Sequence, residues 1–255
     1  MTEKKLYGSV LLKAAEILDA LAKKGGQTIQ LLSKETGISP SNLSKILETL
    51  MHIGYVIRDQ NKLYYLGSKF MKYHTQNIEA QRLLAVARPY LEELRESVDE
   101  TIHLSVLEND KMVYIDKLEP QNKGIYMTSQ VGLARSLYSS GMGKAVLSSF
   151  SEEQLNDYLA KTELVPLAKN TITTSEALRR DLVAIRERGY AIDDEEQEND
   201  GYCIAVKLEA NDRVIGAMSV SFPKFRYTPA FEEEVVAKIQ KTKTAIEHCL
   251  QSESV

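Results

Sequence analysis

The stretch that most constrains the fold runs over residues 39–66. Apolar residues recur at steps of three and four through its first half, and this spacing predicts a short helix with one buried face. The apolar positions are Leu43, Ile46, Leu47, Leu50 and Ile53. Ser39 is expected to cap the helix, and Pro40 suits its first position because no hydrogen-bonded N–H is needed there.

Two short strands are predicted to follow this helix. Gly54 ends the helix, and a turn-prone segment separates strands at residues 55–58 and 63–66. Upstream, a helix over residues 8–23 precedes a shorter one that ends at Gly37. This order predicts a winged helix-turn-helix, in which the second helix of the motif enters the DNA major groove.

The exposed face of the predicted reading helix carries small hydrogen-bonding residues and one cation. Residues of this kind at the start of a recognition helix contact base edges, and cations on a wing lie near phosphates. The expected DNA-binding residues are Ser41, Asn42, Ser44 and Lys45 on the helix and Arg58 and Lys62 on the wing.

Charge is unevenly distributed along the 255 residues, which are enough for two domains. Residues 1–75 hold 11 Lys and Arg against 6 Asp and Glu, whereas the remaining chain has a net charge of -9. A basic head on an acidic body is expected when only one domain meets phosphate. Chance clustering of charge in a small domain is the alternative.

The sequence carries no sign of a membrane or metal partner. The first ten residues lack the apolar region of a signal peptide, and no run is long enough to span a membrane. Cys203 and Cys249 lie far apart, without a spacing typical of zinc. We therefore expect a cytoplasmic protein with reduced thiols, no cofactor and no bound metal.

A long helix is predicted from residue 78 to about residue 98. Its apolar seam has the alternating steps of a coiled coil and consists of Leu84, Ala87, Leu91, Leu94 and Val98. The seam packs either on its own domain or against a second subunit. Pro89 lies inside the pattern and is expected to bend the helix.

The rest of the chain alternates between period-two and helical patterns, which predicts an α+β domain. Predicted strands cover residues 102–107, 112–118, 125–130, 190–193, 203–208 and 214–222. Predicted helices cover residues 140–150, 152–161, 174–189 and 229–250.

Two segments of this domain are candidate ligand contacts. Gly141 and Gly143 open a predicted helix, where backbone N–H groups and the helix dipole favour an anion, although a plain tight turn explains them equally. The run over residues 193–198 holds five carboxylates. Some of these must be solvated or bound because like charges repel, and an acidic surface loop is the alternative.

Cys203 and two serines of one strand are further candidates. Cys203 begins a predicted strand and is either a reactive thiol or a buried structural cysteine. Ser219 and Ser221 alternate with apolar residues, so their hydroxyls share one face. An enzyme that uses Cys203 with Asp193 lacks a general base and an oxyanion hole, and the four histidines fall outside these segments. We therefore expect no catalytic residues and no enzymatic activity.

These segments together resemble the IclR family of bacterial transcriptional regulators over nearly the whole chain. The motifs that carry the resemblance are Gly143-Lys144-Ala145, the run from Arg188 to Glu196, Cys203-Ile204-Ala205, and Gly216-Ala217 followed by Ser219-Val220-Ser221. In the first domain the residues that carry the resemblance are Leu47, Leu50, Gly54 and Tyr55.

The resemblance implies a winged helix-turn-helix over residues 1–75, a linker helix over 76–98 and a GAF-like α/β effector domain over 99–255. It also implies a ligand-responsive repressor of a catabolic operon. Such a protein binds double-stranded operator DNA and a small organic or sugar acid, as a homodimer or as a tetramer built from two dimers. The effector residues that it implies are Met127, Gly141, Met142, Asp193, Cys203, Ser219 and Ser221.

Two positions depart from the family pattern. Asp200 stands where the family usually has a glycine, and the glycine comes one residue later, at Gly201. Lys45 stands where an arginine is common, and lysine lacks the bidentate geometry of a guanidinium. A sensor that acts only through protein partners, without binding DNA, is the competing hypothesis for the whole chain.

Overall fold

A computed structural model describes residues 8–72, 78–122, 127 and 129–252. The chain divides into two compact units, Met1–Asn77 and Ile78–Val255. The predicted α+β class is confirmed, with a helix-turn-helix and wing in the first unit and an α/β domain in the second. Three of the six residues in the strand expected over 125–130 lie outside the described residues, and Met127, Ser129 and Gln130 are not in a strand.

The first unit contains three helices and a two-stranded wing. They are α1 (Ser9–Lys23), α2 (Ile29–Thr36), α3 (Pro40–His52), β1 (Val56–Arg58) and β2 (Tyr64–Leu66), with a 3-10 turn at Ser68–Lys72. Gly37 ends α2 with a φ of 69°, a left-handed conformation that glycine adopts without strain.

Two local expectations for α3 are wrong. Ser39 precedes the helix, but its side chain makes no capping hydrogen bond; Pro40 leaves one N–H fewer to satisfy at this end. Ile53 is 41% exposed because α3 ends at His52, so Ile53 no longer follows the helical period. The other apolar positions of α3 are buried and pack against Ile17 and Leu32.

The second unit is built on one six-stranded antiparallel sheet. Its elements are α4 (Ile78–Val98), β3 (Thr101–Glu108), β4 (Lys111–Leu118), β5 (Ala134–Ser136), α5 (Gly141–Leu147), α6 (Glu152–Lys161), α7 (Ser175–Arg188), β6 (Ala191–Asp194), β7 (Gly201–Ala210), β8 (Arg213–Pro223) and α8 (Pro229–Ser252). The strand order is β5-β4-β3-β8-β7-β6. No strand was predicted at β5, whose three residues show no alternation of apolar and polar side chains.

Helices cover both faces of this sheet. On one face α4 and α8 pack against alternate strand residues such as Leu104, Ile204 and Val220. The seam of α4 therefore packs within its own unit, and Pro89 lies inside a helix that continues to Val98. On the other face α5, α6 and α7 form a second apolar cluster. The candidate effector residues lie on this second side.

The described helices and side-chain clusters bear on two kinds of partner. Within residues 8–72, 78–122 and 129–252 no helix is both long and apolar enough to cross a membrane. Among the residues that the structure describes, His, Cys, Asp and Glu side chains form no group of three or more that is arranged to hold a metal ion.

Candidate functional sites

The register of the sheet brings distant polar residues into two adjacent rows. Asp193 of β6 pairs with Cys203 of β7, and Cys203 pairs with Ser221 of β8. In the next row Ser219 of β8 pairs with His103 of β3. Side chains alternate between the faces of a strand, so both rows point to the side covered by α5. The sheet thus forms one polar wall beside an otherwise apolar cluster.

A cavity of about 40 Å³ lies against this wall. Its lining includes all seven residues expected to bind an effector: Met127, Gly141, Met142, Asp193, Cys203, Ser219 and Ser221. By volume it has room for about three water molecules. Segments that are separated by up to 94 positions in the chain therefore meet at one small, largely enclosed site.

Helix α5 begins at the cavity wall. The Ser140 hydroxyl caps it by accepting a hydrogen bond from the Gly143 N–H at 3.2 Å. A side chain at position 141 would bring its Cβ to 3.2 Å from the Cys203 Sγ. Glycine at this position therefore lets the backbone approach the floor of the cavity. The helix is shorter than predicted, because it ends at Leu147.

Asp193 is the acidic group of the cavity. Burial raises the pKa of Asp193 to about 6, although two backbone N–H groups, those of Glu196 at 2.9 Å and Gln197 at 3.2 Å, oppose the shift. Both donate to the same oxygen, Oδ1. The carboxyl group therefore exchanges its proton close to neutral pH, and it can donate or accept a hydrogen bond toward the cavity.

The acidic run after Asp193 is not the solvated surface loop that the sequence left as an alternative. Glu196 is buried and its Oε1 lies 2.5 Å from the Lys144 Nζ, which also lies 2.8 Å from Asp181. Burial raises the pKa of Glu196 to about 7, and the Lys144 ammonium opposes this shift. Asp194 pairs with Lys224 at 2.6 Å. The repulsion within the run is offset by cations from other elements.

His103 is the main residue that the sequence analysis missed, since it placed all four histidines outside the candidate segments. The ring is buried, stacks on Tyr114 with centroids 4.7 Å apart, and has Nε2 at 2.6 Å from the Ser129 hydroxyl. Burial lowers the pKa of His103 to about 3, and the charges of Lys117 and Arg135 lower it further. The imidazole is therefore neutral. Only the β3–β8 register could have revealed its position.

Cys203 lines the cavity as a protonated thiol. Burial raises the pKa of Cys203 to about 12, and the nearby Asp193 raises it further. A reactive cysteine needs a lowered pKa, because the thiolate is the nucleophile. The structural interpretation of Cys203 is therefore supported, and the hypothesis of an enzyme that uses Cys203 with Asp193 has no chemical basis.

The six candidate DNA-binding residues of the first unit are all exposed. Ser41, Asn42, Ser44 and Lys45 lie on the face of α3 opposite its buried leucines. On the wing, the Arg58 guanidinium lies 5.2 Å from the centre of the Tyr64 ring. This cation–π contact restrains the orientation of the Arg58 side chain.

Asp59 builds the turn of the wing, a role that the sequence analysis did not assign. Its Oδ1 accepts hydrogen bonds from the backbone N–H groups of Asn61 at 2.9 Å and Leu63 at 2.8 Å. Lys62 follows within this turn with a φ of 65°. The aspartate therefore fixes the loop that presents Lys62 to solvent.

Both units of the chain match known protein families. Residues 10–60 match the IclR helix-turn-helix domain, and residues 75–248 match the bacterial transcriptional regulator IclR C-terminal domain. The chain belongs to the IclR family. It is a DNA-binding transcriptional regulator with an effector domain and not an enzyme.

Two curated relatives and one solved structure of the IclR family illustrate this similarity. The regulator KdgR of Escherichia coli is 33% identical over 233 residues, which cover 91% of this chain and 88% of the relative. The repressor YiaJ of E. coli is 32% identical over 219 residues, or 84% and 78% of the two chains. A crystal structure of an IclR homolog from Microbacterium hydrocarbonoxydans, complexed with 4-hydroxybenzoate, shares the fold at 23% identity. Its TM-score is 0.75, with 94% and 98% of the two chains covered.

Proposed function

We propose that this IclR-family protein is a repressor of a catabolic operon and that it responds to a small organic or sugar acid bound in the second unit. The observation that carries the proposal is the single cavity lined by all seven nominated residues. The repressor role is supported by the similarity to YiaJ, and the acid by the 4-hydroxybenzoate complex of the homolog.

The polar groups of the cavity suit a hydroxylated carboxylic acid. Asp193 and the hydroxyls of Ser219 and Ser221 offer partners for a ligand hydroxyl, and Arg135 offers a positive charge. Met142 and Tyr114 supply apolar contacts. Since the cavity encloses only about 40 Å³, a compact acid suits it, and a larger acid requires side chains at its rim to move.

The proposed DNA contacts are the six exposed residues of α3 and the wing. Ser41, Asn42, Ser44 and Lys45 would contact base edges, and Arg58 and Lys62 would lie near phosphates. The excess of Lys and Arg in residues 1–75 supports this surface, because neutralised phosphates supply much of the affinity for DNA.

We further propose the division into a DNA-binding domain at 1–75, a linker helix at 76–98 and an effector domain at 99–255. A homodimer, or a tetramer of two dimers, would present pairs of DNA-binding domains to two half-sites. The effector would then act by favouring one arrangement of these domains over another. Its influence cannot exceed the difference between its affinities for the two arrangements.

One experiment tests both halves of this proposal. Operator duplexes are first selected from a randomised DNA pool with the purified protein. Lactate, D-gluconate and 4-hydroxybenzoate are then tested for raising the melting temperature and for releasing the selected duplex. We expect at least one acid to do both, because a ligand of the native state stabilises it by mass action.

Asp193→Ala is the matched variant for this experiment. It should still bind the selected duplex but lose its response to the acid. Failure to select any DNA sequence would contradict the assignment of the reading surface. An acid that binds the variant as tightly as the wild type would contradict the assignment of the cavity.

A further inference from the structure

Arg135 brings a permanent positive charge to the cavity, and among the described lining residues no other Lys or Arg does so. It lies on the edge strand β5, opposite Met112 of β4, and its side chain is only 18% exposed. The charge of Arg135 contributes to the low pKa of His103, so its field reaches the polar wall of the sheet. The guanidinium therefore belongs to the site electrostatically as well as by position.

The hydrogen bonding of this guanidinium is incomplete. Its Nε is buried, and no described residue accepts a hydrogen bond from it. Its Nη2 lies 3.6 Å from the Glu198 Oε2, which is longer than the 2.7–3.2 Å typical of an N–H···O bond. A planar guanidinium donates two parallel hydrogen bonds to a carboxylate when the geometry allows it. Here Glu198 compensates the charge without making that pair.

Glu198 lies at the rim of the cavity. Its side chain is 34% exposed, and it lines both the cavity and a neighbouring surface groove. Lys169 and Lys224 also line the groove, where Lys169 pairs with Glu195 and Lys224 pairs with Asp194. The cavity is small enough that an entering ligand must displace part of its rim.

We propose that Arg135 binds the carboxylate of the effector and that this carboxylate replaces Glu198 beside the guanidinium. This inference rests on the proposed function and assigns the two side chains that compete for and bind the carboxylate. The ligand carries a carboxylate, and a hydroxyl a few bonds away reaches Asp193 and the serines. Glu198 is a competitor for the same site: it compensates the charge of Arg135 when no effector is bound and lowers the affinity for weak or neutral ligands.

Isothermal titration of the full-length protein tests the roles of both side chains. The probes are lactate, D-gluconate and 4-hydroxybenzoate, each compared with a neutral counterpart: lactamide, D-glucitol and 4-hydroxybenzamide. For an acid that binds the wild type, Arg135→Gln should weaken binding by about tenfold to a hundredfold, the usual effect of losing a charged hydrogen bond. Glu198→Gln should strengthen it by about threefold or more, since removal of the competing charge leaves Arg135 open. The neutral counterparts should not bind.

The two substitutions should change the affinity for the acid in opposite directions. This distinguishes the proposal from an ion pair that only stabilises the rim of the cavity. If Glu198→Gln also weakens binding, or if Arg135→Gln binds the acid as the wild type does, the proposal is overturned. Arg135→Lys keeps the positive charge but cannot donate two parallel hydrogen bonds, so it should give an intermediate affinity. Arg179→Gln removes an arginine from the surface of α7, where it pairs with Glu152, and should leave binding unchanged.

Two kinds of failure remain separable. If no acid binds the wild-type protein, the ligand class of the proposed function fails, and this inference fails with it. If an acid binds and Arg135→Gln leaves its affinity unchanged, only the role of Arg135 fails. The melting temperature of each variant, measured without ligand, separates loss of binding from loss of folding.

Discussion

Burial shifts the pKa values of Asp193 and His103 in opposite directions, because it disfavours the charged form of each. The pKa of Asp193 rises from 3.8 to about 6 and that of His103 falls from 6.5 to about 3. For Asp193 the folded state holds its proton more tightly, so its contribution to stability is complete below about pH 4 and is lost as pH rises through 6. For His103 the contribution is present above pH 6.5 and is lost as pH falls toward 3.

Asp193→Asn should therefore change the pH dependence of stability. The amide removes the titration while its Oδ1 still accepts from the two N–H groups. Relative to the wild type, the variant should gain about 3 kcal/mol between pH 4 and pH 7.5, as the shift from 3.8 to about 6 implies. Urea unfolding at a series of pH values measures the difference.

Asp157→Asn supplies the control for this measurement, because Asp157 is exposed on the surface of α6. This variant measures how far the loss of an exposed carboxylate changes the pH dependence of stability. A stability difference that is constant with pH for Asp193→Asn would mean that the buried carboxyl does not titrate as inferred.

Asp200 illustrates how a departure from the family pattern is tolerated. The residue has a φ of 61°, the left-handed conformation that usually favours glycine. Aspartate is one of the few other residues that adopt this conformation at modest cost. The turn therefore survives without the expected glycine, and Gly201 begins β7 on the cavity wall.

Helix α5 depends on a close approach to the segment before it. A Cβ at position 143 would lie 2.4 Å from both the Cα and the carbonyl oxygen of Leu137, and backbone atoms cannot move aside cheaply. Gly143→Ala should lower the free energy of unfolding by about 2–3 kcal/mol, as overpacking does in a dense core. Urea unfolding measures the loss.

Gly141→Ala, two residues earlier in α5, is the informative comparison. Its Cβ would meet only side-chain atoms, at 3.2 Å from Ala205 and Cys203. We expect a smaller loss of stability and a marked loss of acid binding, because the methyl group occupies the floor of the cavity. Equal destabilisation by the two variants would contradict this division between packing and binding.

One face of helix α3 is buried in the domain and the other is exposed to solvent. A substitution on the exposed face can therefore change DNA affinity without changing the stability of the fold. Lys45→Ala should leave the melting temperature unchanged and weaken binding to the selected duplex by about tenfold or more, the usual effect of losing a base or phosphate contact. Fluorescence anisotropy measures the affinity.

Lys23→Ala removes the same charge from the end of α1, where Lys23 is exposed. It should change the affinity by about twofold or less, since salt screens charges that make no contact. Equal losses for Lys23→Ala and Lys45→Ala would remove Lys45 from the reading surface.

At the scale of the whole molecule, effector and operator must influence each other equally. If an acid lowers the affinity for the selected duplex by a given factor, that duplex must lower the affinity for the acid by the same factor. Titration of the acid into free and DNA-saturated protein measures the second factor. Unequal factors would indicate a further linked equilibrium, such as a change of oligomeric state.

The sequence by itself determined the elements and the family. Helical periodicity identified α3 and α7, alternation identified β3 and β4, and glycines marked the ends of α2 and α7, because these signals depend only on neighbours along the chain. The resemblance supplied seven candidate effector residues, which line one cavity.

Only the tertiary structure decided what completes that cavity. His103 joins it through the pairing of β3 with β8, and Arg135 joins it through the pairing of β4 with β5. Outside the cavity lining, Glu196 pairs with Lys144 of α5. The cause is physical: burial and cross-strand contact depend on residues distant in the chain. The sequence alone therefore does not distinguish a buried histidine from an exposed one, because the register of the sheet decides which of them is buried.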